Sequence, residues 1–141
     1  MPHRFQGERT LMRIFIGESD KCQVGSHRGK PLYEALVAFF RERGCAGTTV
    51  LRGINGFGAH ARVHTDKILR LSLDLPIVVE VVEDEATIRS LLPELDGMID
   101  GGMVTLERVR VILYRPHDIA EDERWRHRIG GLEAGDEEGE T

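Results

Sequence analysis

The residues best suited to chemistry sit together in one short stretch: Arg52, Gly53, Gly56, Phe57, Gly58, His60, Arg62, His64 and Lys67. Glycines let backbone amides converge on an anion, and the arginines, lysine and histidines add positive or titratable groups beside them. A phosphate or similar small anion is the natural guest of such a segment. The same composition also fits a loop whose charges are only solvated, and both readings stand. His60 and His64 are four apart, a spacing that shares one helical face, so a divalent-metal-binding tolerance protein is an alternative. Two ligands do not close a metal site, however. A small hydrolase using His60, His64 and Asp66 is a further alternative.

Other candidates are weaker. Lys21, His27, Arg28 and Lys30 precede an expected helix, whose first amides favour anions. The run from Gly25 to Pro31 is one residue short of a phosphate-binding P-loop and has proline where a hydroxyl should ligate magnesium. Ser19, Ser26 and Cys45 lack the neighbours that would activate a nucleophile. Glu83, Asp84 and Glu85 fit the start of a helix, where carboxylates complement the dipole. No catalytic residue, cofactor or metal site is assigned, and the chain reads as a binding protein rather than an enzyme.

The bulk properties bound the rest. A chain of 141 residues, 40% hydrophobic and 30% charged, is sized for one soluble domain with one core. Its net charge of -5 argues against nucleic acid as a partner. Basic residues gather between Lys21 and Arg70 while carboxylates crowd the end, so a small anion is better received by the first half. No apolar run approaches the ~18 residues that a spanning helix requires, and the first residues do not read as a secretory signal. Cys22 and Cys45 have no metal-type spacing and are expected as free thiols of a cytoplasmic protein.

The elements that must position these groups follow from periodicity. Residues 1–11 are expected to be an N-terminal extension, 12–115 the folded domain, and 116–141 an acidic, mostly disordered tail, with a short helix around Glu121 to Arg128 pinned by Trp125 as the alternative. The first strand is expected at 11–16, with Met12, Ile14 and Ile16 on one face. Ser19 to Lys30 is a loop, and Pro31 suits a first helical position. Leu32, Ala35, Leu36, Phe39 and Phe40 form one helical stripe that Gly44 ends. Strand two is expected at 47–52, strand three at 76–83 and strand four at 104–114. Between the last two lies a helix capped by Asp84, with the stripe Ile88, Leu91, Leu92, Leu95 and Ile99. Pro93 predicts a kink or break near Ser90.

Strand, helix, strand, strand, helix, strand is the order of the α+β, ferredoxin-like sandwich, with both helices on one face of an antiparallel sheet. Its strands are apolar on both sides: Phe15 opposes Ile14, and Val78 and Val82 oppose Val79. Another copy of the chain is the simplest cover for the second face.

Several joined motifs carry a family resemblance. They are Ile14-Phe15-Ile16-Gly17-Glu18-Ser19-Asp20-Lys21, Gly29-Lys30-Pro31-Leu32-Tyr33-Glu34-Ala35, Gly47 through His60, His64 through Ser72, and Asp74-Leu75-Pro76. From about Met12 to Tyr114 the chain resembles the DUF190 family of PII-like proteins. The resemblance implies a PII-like homotrimer that binds adenine nucleotides or small metabolites between subunits. It also implies a strand-two to strand-three loop that docks on a partner, with a fluoride-export channel suggested. Gly56, Phe57 and Gly58 look like the turn at the base of that loop. Ala59-His60-Ala61-Arg62 stands where PII proteins have a Gln-Lys pair, and Gly101-Gly102-Met103-Val104 lacks the lysine of their phosphate loop. The resemblance thus carries over the shape and the loop rather than the phosphate contacts.

Overall fold

The computed structural model describes residues 5–58 and 74–116. Strand β1 (Phe5–Gly17) leads through a single 3-10 turn (Gly25–His27) to helix α1 (Leu32–Glu42). Then come β2 (Thr49–Arg52), β3 (Pro76–Glu83), α2 (Glu85–Met98) and β4 (Met103–Tyr114). The sheet order is β2-β3-β1-β4, with every neighbouring pair antiparallel. This is the expected α+β, ferredoxin-like arrangement.

The core lies between one sheet face and the helices. Met12, Ile14 and Ile16 alternate along β1 and meet Ile77, Val79 and Val81 of β3 in register. The two helical stripes close over them through Leu32, Ala35, Leu36, Phe39 and Phe40 on α1, and Ile88, Leu91 and Leu95 on α2. Leu92 and Ile99, also expected on the second stripe, are only partly buried at its margin.

Local chemistry sets the helix ends. Leu32 opens α1, with Pro31 as the cap whose carbonyl accepts the amides of Glu34 and Ala35. At the far end Gly44 takes a φ of 80°, its amide bonds Arg41 O, and the Cys45 amide bonds Phe40 O. That pair of bonds is a Schellman close, which needs the left-handed residue that glycine supplies. Asp84 caps α2 as expected, accepting the Thr87 hydroxyl at 2.6 Å and its amide at 3.4 Å. The Thr87 bonds hold the Asp84 carboxyl below its usual range. Asp84→Ala is therefore expected to cost about 1 kcal/mol in urea unfolding. The sign for pH follows: a depressed folded-state pKa means that this stability is present near neutrality and lost as acid titrates Asp84.

Two expectations are corrected. Residues 5–10, expected to belong to an extension, are strand: β1 continues back to Phe5 because the second half of β4 gives it a partner, Thr10 facing Arg108 and Phe5 facing Tyr114. This ribbon runs past β3, which ends opposite Thr10. Its polar residues concealed the alternation. Helix α2 also runs through Pro93 without a break. Pro93 lies on the exposed side, so water can satisfy the carbonyl it leaves unbonded.

The other sheet face has no covering layer among the described residues. At its centre Arg13 bonds Glu80 at 2.9 Å and Glu107 at 2.8 Å. Around this triad lie Phe15, Val78, Leu51, Val82 and Met103, the last three 48%, 40% and 54% exposed.

A candidate ligand site at the sheet end

One end of the sheet holds a hollow of about 340 Å³. It is lined by the close of β1 (Phe15, Ile16, Gly17), the start of β3 (Pro76, Ile77), the start of β4 (Met103) and the Gly101-Gly102 pair just before it. Phe57 and Gly58 reach it from the connection after β2, and Asp74 from the end of that connection. Asp20 completes it.

Close backbone approach makes this geometry, and glycine permits it. A Cβ on Gly17 would stand 2.3 Å from Asp74 Oδ1 and 3.3 Å from Asp20 Oδ1. One on Gly102, whose φ is +149°, would stand 2.4 Å from the Phe15 carbonyl oxygen. Asp74 itself has a φ of 48°, a left-handed conformation that aspartate tolerates better than most side chains. It is held there by Ser19, whose hydroxyl donates to Asp74 Oδ1 at 2.9 Å and whose amide donates at 3.4 Å. The Gly17 amide donates to Asp20 Oδ2 at 3.0 Å, and the Glu18 amide to Leu75 O at 2.8 Å. Across the connection, the Gly53 amide donates to Pro76 O at 2.7 Å. Both ends of the segment between β2 and β3 are thus tied beside the hollow.

Of the site residues expected from sequence, Phe57 and Gly58 line the hollow. Gly53 and Gly56 pack on Pro76, the second with a φ of +136°. Arg52 lies nearby but its guanidinium donates to Glu18 at 2.5 Å. His60, Arg62, His64, Lys67 and Asp66 lie outside the described residues, as does the segment around Trp125. Sequence reasoning gave no site role to Gly17, Asp20, Asp74 or Gly102. The first three stand inside the quoted motifs, and Gly102 enters only through the comparison with the PII phosphate loop. The signal was present as a Gly-x-x-Asp turn and an Asp-x-Pro close, but their convergence is tertiary.

The other candidates do not converge. His27 faces Glu42 at 3.4 Å, Arg28 bonds the Gln23 carbonyl, and Lys21 and Lys30 are exposed. Burial and the nearby Glu83 push the Cys45 thiol up to about 11, so it stays protonated at neutral pH. Burial also raises Glu83, an effect opposed by the Ala46 amide that it accepts at 2.7 Å. Cys22 and Cys45 are both free thiols. Among the described residues no group of three histidine, cysteine or acidic side chains could hold a metal, and no helix is long and apolar enough to cross a membrane.

The sequence profile of DUF190, described as an uncharacterised group, matches residues 9–111. The chain belongs to the DUF190 family. Relatives of the chain include two UPF0166 proteins of Aquifex aeolicus. One is 38% identical over 105 residues, covering 74% of this chain and 94% of the relative; the other is 41% identical over 104 residues, covering 74% and 97%. A UPF0166 protein of Methanocaldococcus jannaschii is 31% identical over 97 residues, covering 68% and 84%. Among solved structures, a putative PII-like signalling protein of Thermus thermophilus superposes with a TM-score of 0.52 at 16% identity, covering 76% of this chain and 92% of the other. CPII of Thiomonas intermedia, a nitrogen regulatory PII-like protein solved with ADP, AMP and bicarbonate, gives 0.50 at 16% identity, covering 76% and 91%. This DUF190 chain therefore has the PII-like fold.

Proposed function

We propose that this DUF190 chain is a PII-like regulatory protein and not an enzyme. Copies of it associate as a homotrimer through the uncovered sheet face. A small anionic ligand or nucleotide binds in a cleft between them, and the segment between β2 and β3 signals occupancy to a partner, with a membrane channel as the candidate.

The observation that carries this reading is that the hollow touches both ends of that segment. Phe57 and Gly58 belong to its first part, Asp74 to its last, and Pro76 opens the strand that follows. A ligand seated there has different contacts when the segment moves, which is the differential affinity that a population shift requires. The nucleotides bound by the Thiomonas protein support the ligand class. Phe15 and Met103 belong both to the hollow and to the apolar face, so a copy laid on that face would also wall the cleft.

Light scattering of the protein with and without Val78→Asp tests the assembly, and a nucleotide thermal-shift series on both tests the coupling. The wild type is expected as a trimer stabilised by nucleotide. The variant should fall to single subunits and lose that stabilisation. A wild type that is monomeric in dilute buffer refutes the proposal.

A further inference from the structure

Charge in the hollow points opposite to the charge of the surrounding sequence. Asp20 and Asp74 are the charged side chains among its described lining, and the nearby Arg52 is engaged by Glu18. Protein donors occupy only one oxygen of each carboxylate: Gly17 N–H takes Asp20 Oδ2, and Ser19 takes Asp74 Oδ1. Asp20 Oδ1 and Asp74 Oδ2 have no donor among the described residues. An ionised carboxylate is acceptor-only. The rest of the described lining is apolar or glycine, with Phe57 86% exposed at the rim.

We infer that the hollow holds the uncharged, donor-bearing end of the ligand: a flat ring system carrying amino or hydroxyl groups, set between Phe57 and Met103, with its N–H or O–H groups on Asp20 and Asp74. A phosphate in the same place would meet two like charges. The anionic part of any nucleotide therefore points out of the hollow, and Asp20 and Asp74 determine specificity for the nucleoside-like part. This rests on the regulatory reading for the place of the site, and deepens it by dividing the ligand into two ends.

Calorimetric titration with adenosine, inorganic phosphate and ADP tests the division. The wild type is expected to bind adenosine and to give no heat with phosphate. Asp20→Asn and Asp74→Asn should weaken adenosine about ten- to a hundredfold, the span expected for a lost bond to a charged acceptor. Because both carboxylates also brace the fold, Phe57→Ala is the second variant; its exposed ring can be removed without harm to the core, and adenosine should weaken about tenfold. Phosphate that binds where adenosine does not, or adenosine affinity unchanged in all three variants, overturns the inference and leaves the regulatory reading intact. No binding of adenosine, phosphate or ADP removes both.

Discussion

Gly102→Ala is expected to lower the melting temperature by on the order of 15 °C and to abolish ligand stabilisation at the sheet end. Two costs act at one position. The backbone φ of +149° is one that side chains with a Cβ rarely adopt, which costs about 1–3 kcal/mol. The added carbon would also stand 2.4 Å from the Phe15 carbonyl oxygen, and this neighbour is backbone, which cannot rotate away. Overpacking of this kind adds roughly 1–3 kcal/mol. Relief requires β4 to part from β1 at the Phe15–Met103 pair, and those residues line the hollow. Each kcal/mol moves the midpoint of a domain of this size by about 4–8 °C. Differential scanning calorimetry reads the loss, and a variant melting within a degree or two of wild type would show that the strands separate at little cost.

Phe40→Ala is expected to cost about 3–5 kcal/mol, because its ring is wholly buried and leaves a cavity that rigid neighbours cannot fill. The ring stands edge-on to Phe39 at 5.3 Å between centroids, a favourable geometry that the substitution also removes. Against a total stability of ~5–15 kcal/mol, the loss leaves a domain near its unfolding threshold. Phe57→Ala, the same exchange at an exposed position, should leave the urea midpoint unchanged. The contrast separates a packing role from a binding role for two residues of one type, and equal effects would refute that division.

The helical side of the fold was legible in the sequence because its signals are local. Leu32 to Phe40 repeats at helical spacing, Gly44 can adopt the reversed conformation, and Asp84 stands three residues before Thr87. The alternation of β3 showed its buried and outward faces for the same reason. The first half of β1 was not legible: Gln6, Gly7, Glu8 and Arg9 carry no apolar rhythm, and only the distant second half of β4 makes them a strand. Pro93 misled in the opposite sense, since its effect depends on which side of the helix meets water. At the site, the Gly56-Phe57-Gly58 turn was visible as a motif. Its pairing with Asp20, Asp74 and Gly102 was not, because no sequence spacing records how three strand ends meet.

Among the described residues β4 pairs with β1 alone and lies at the margin of the sheet, so its outer edge is one to which a further strand could add. Such rims invite endless lateral growth into fibres. Glu107, Arg108 and Arg110 interrupt the apolar stretches to either side, so any strand added there would have to strip water from ionised groups. If copies of the chain gather in a closed set, as proposed above, the safeguard against polymerising sits in the middle of this border.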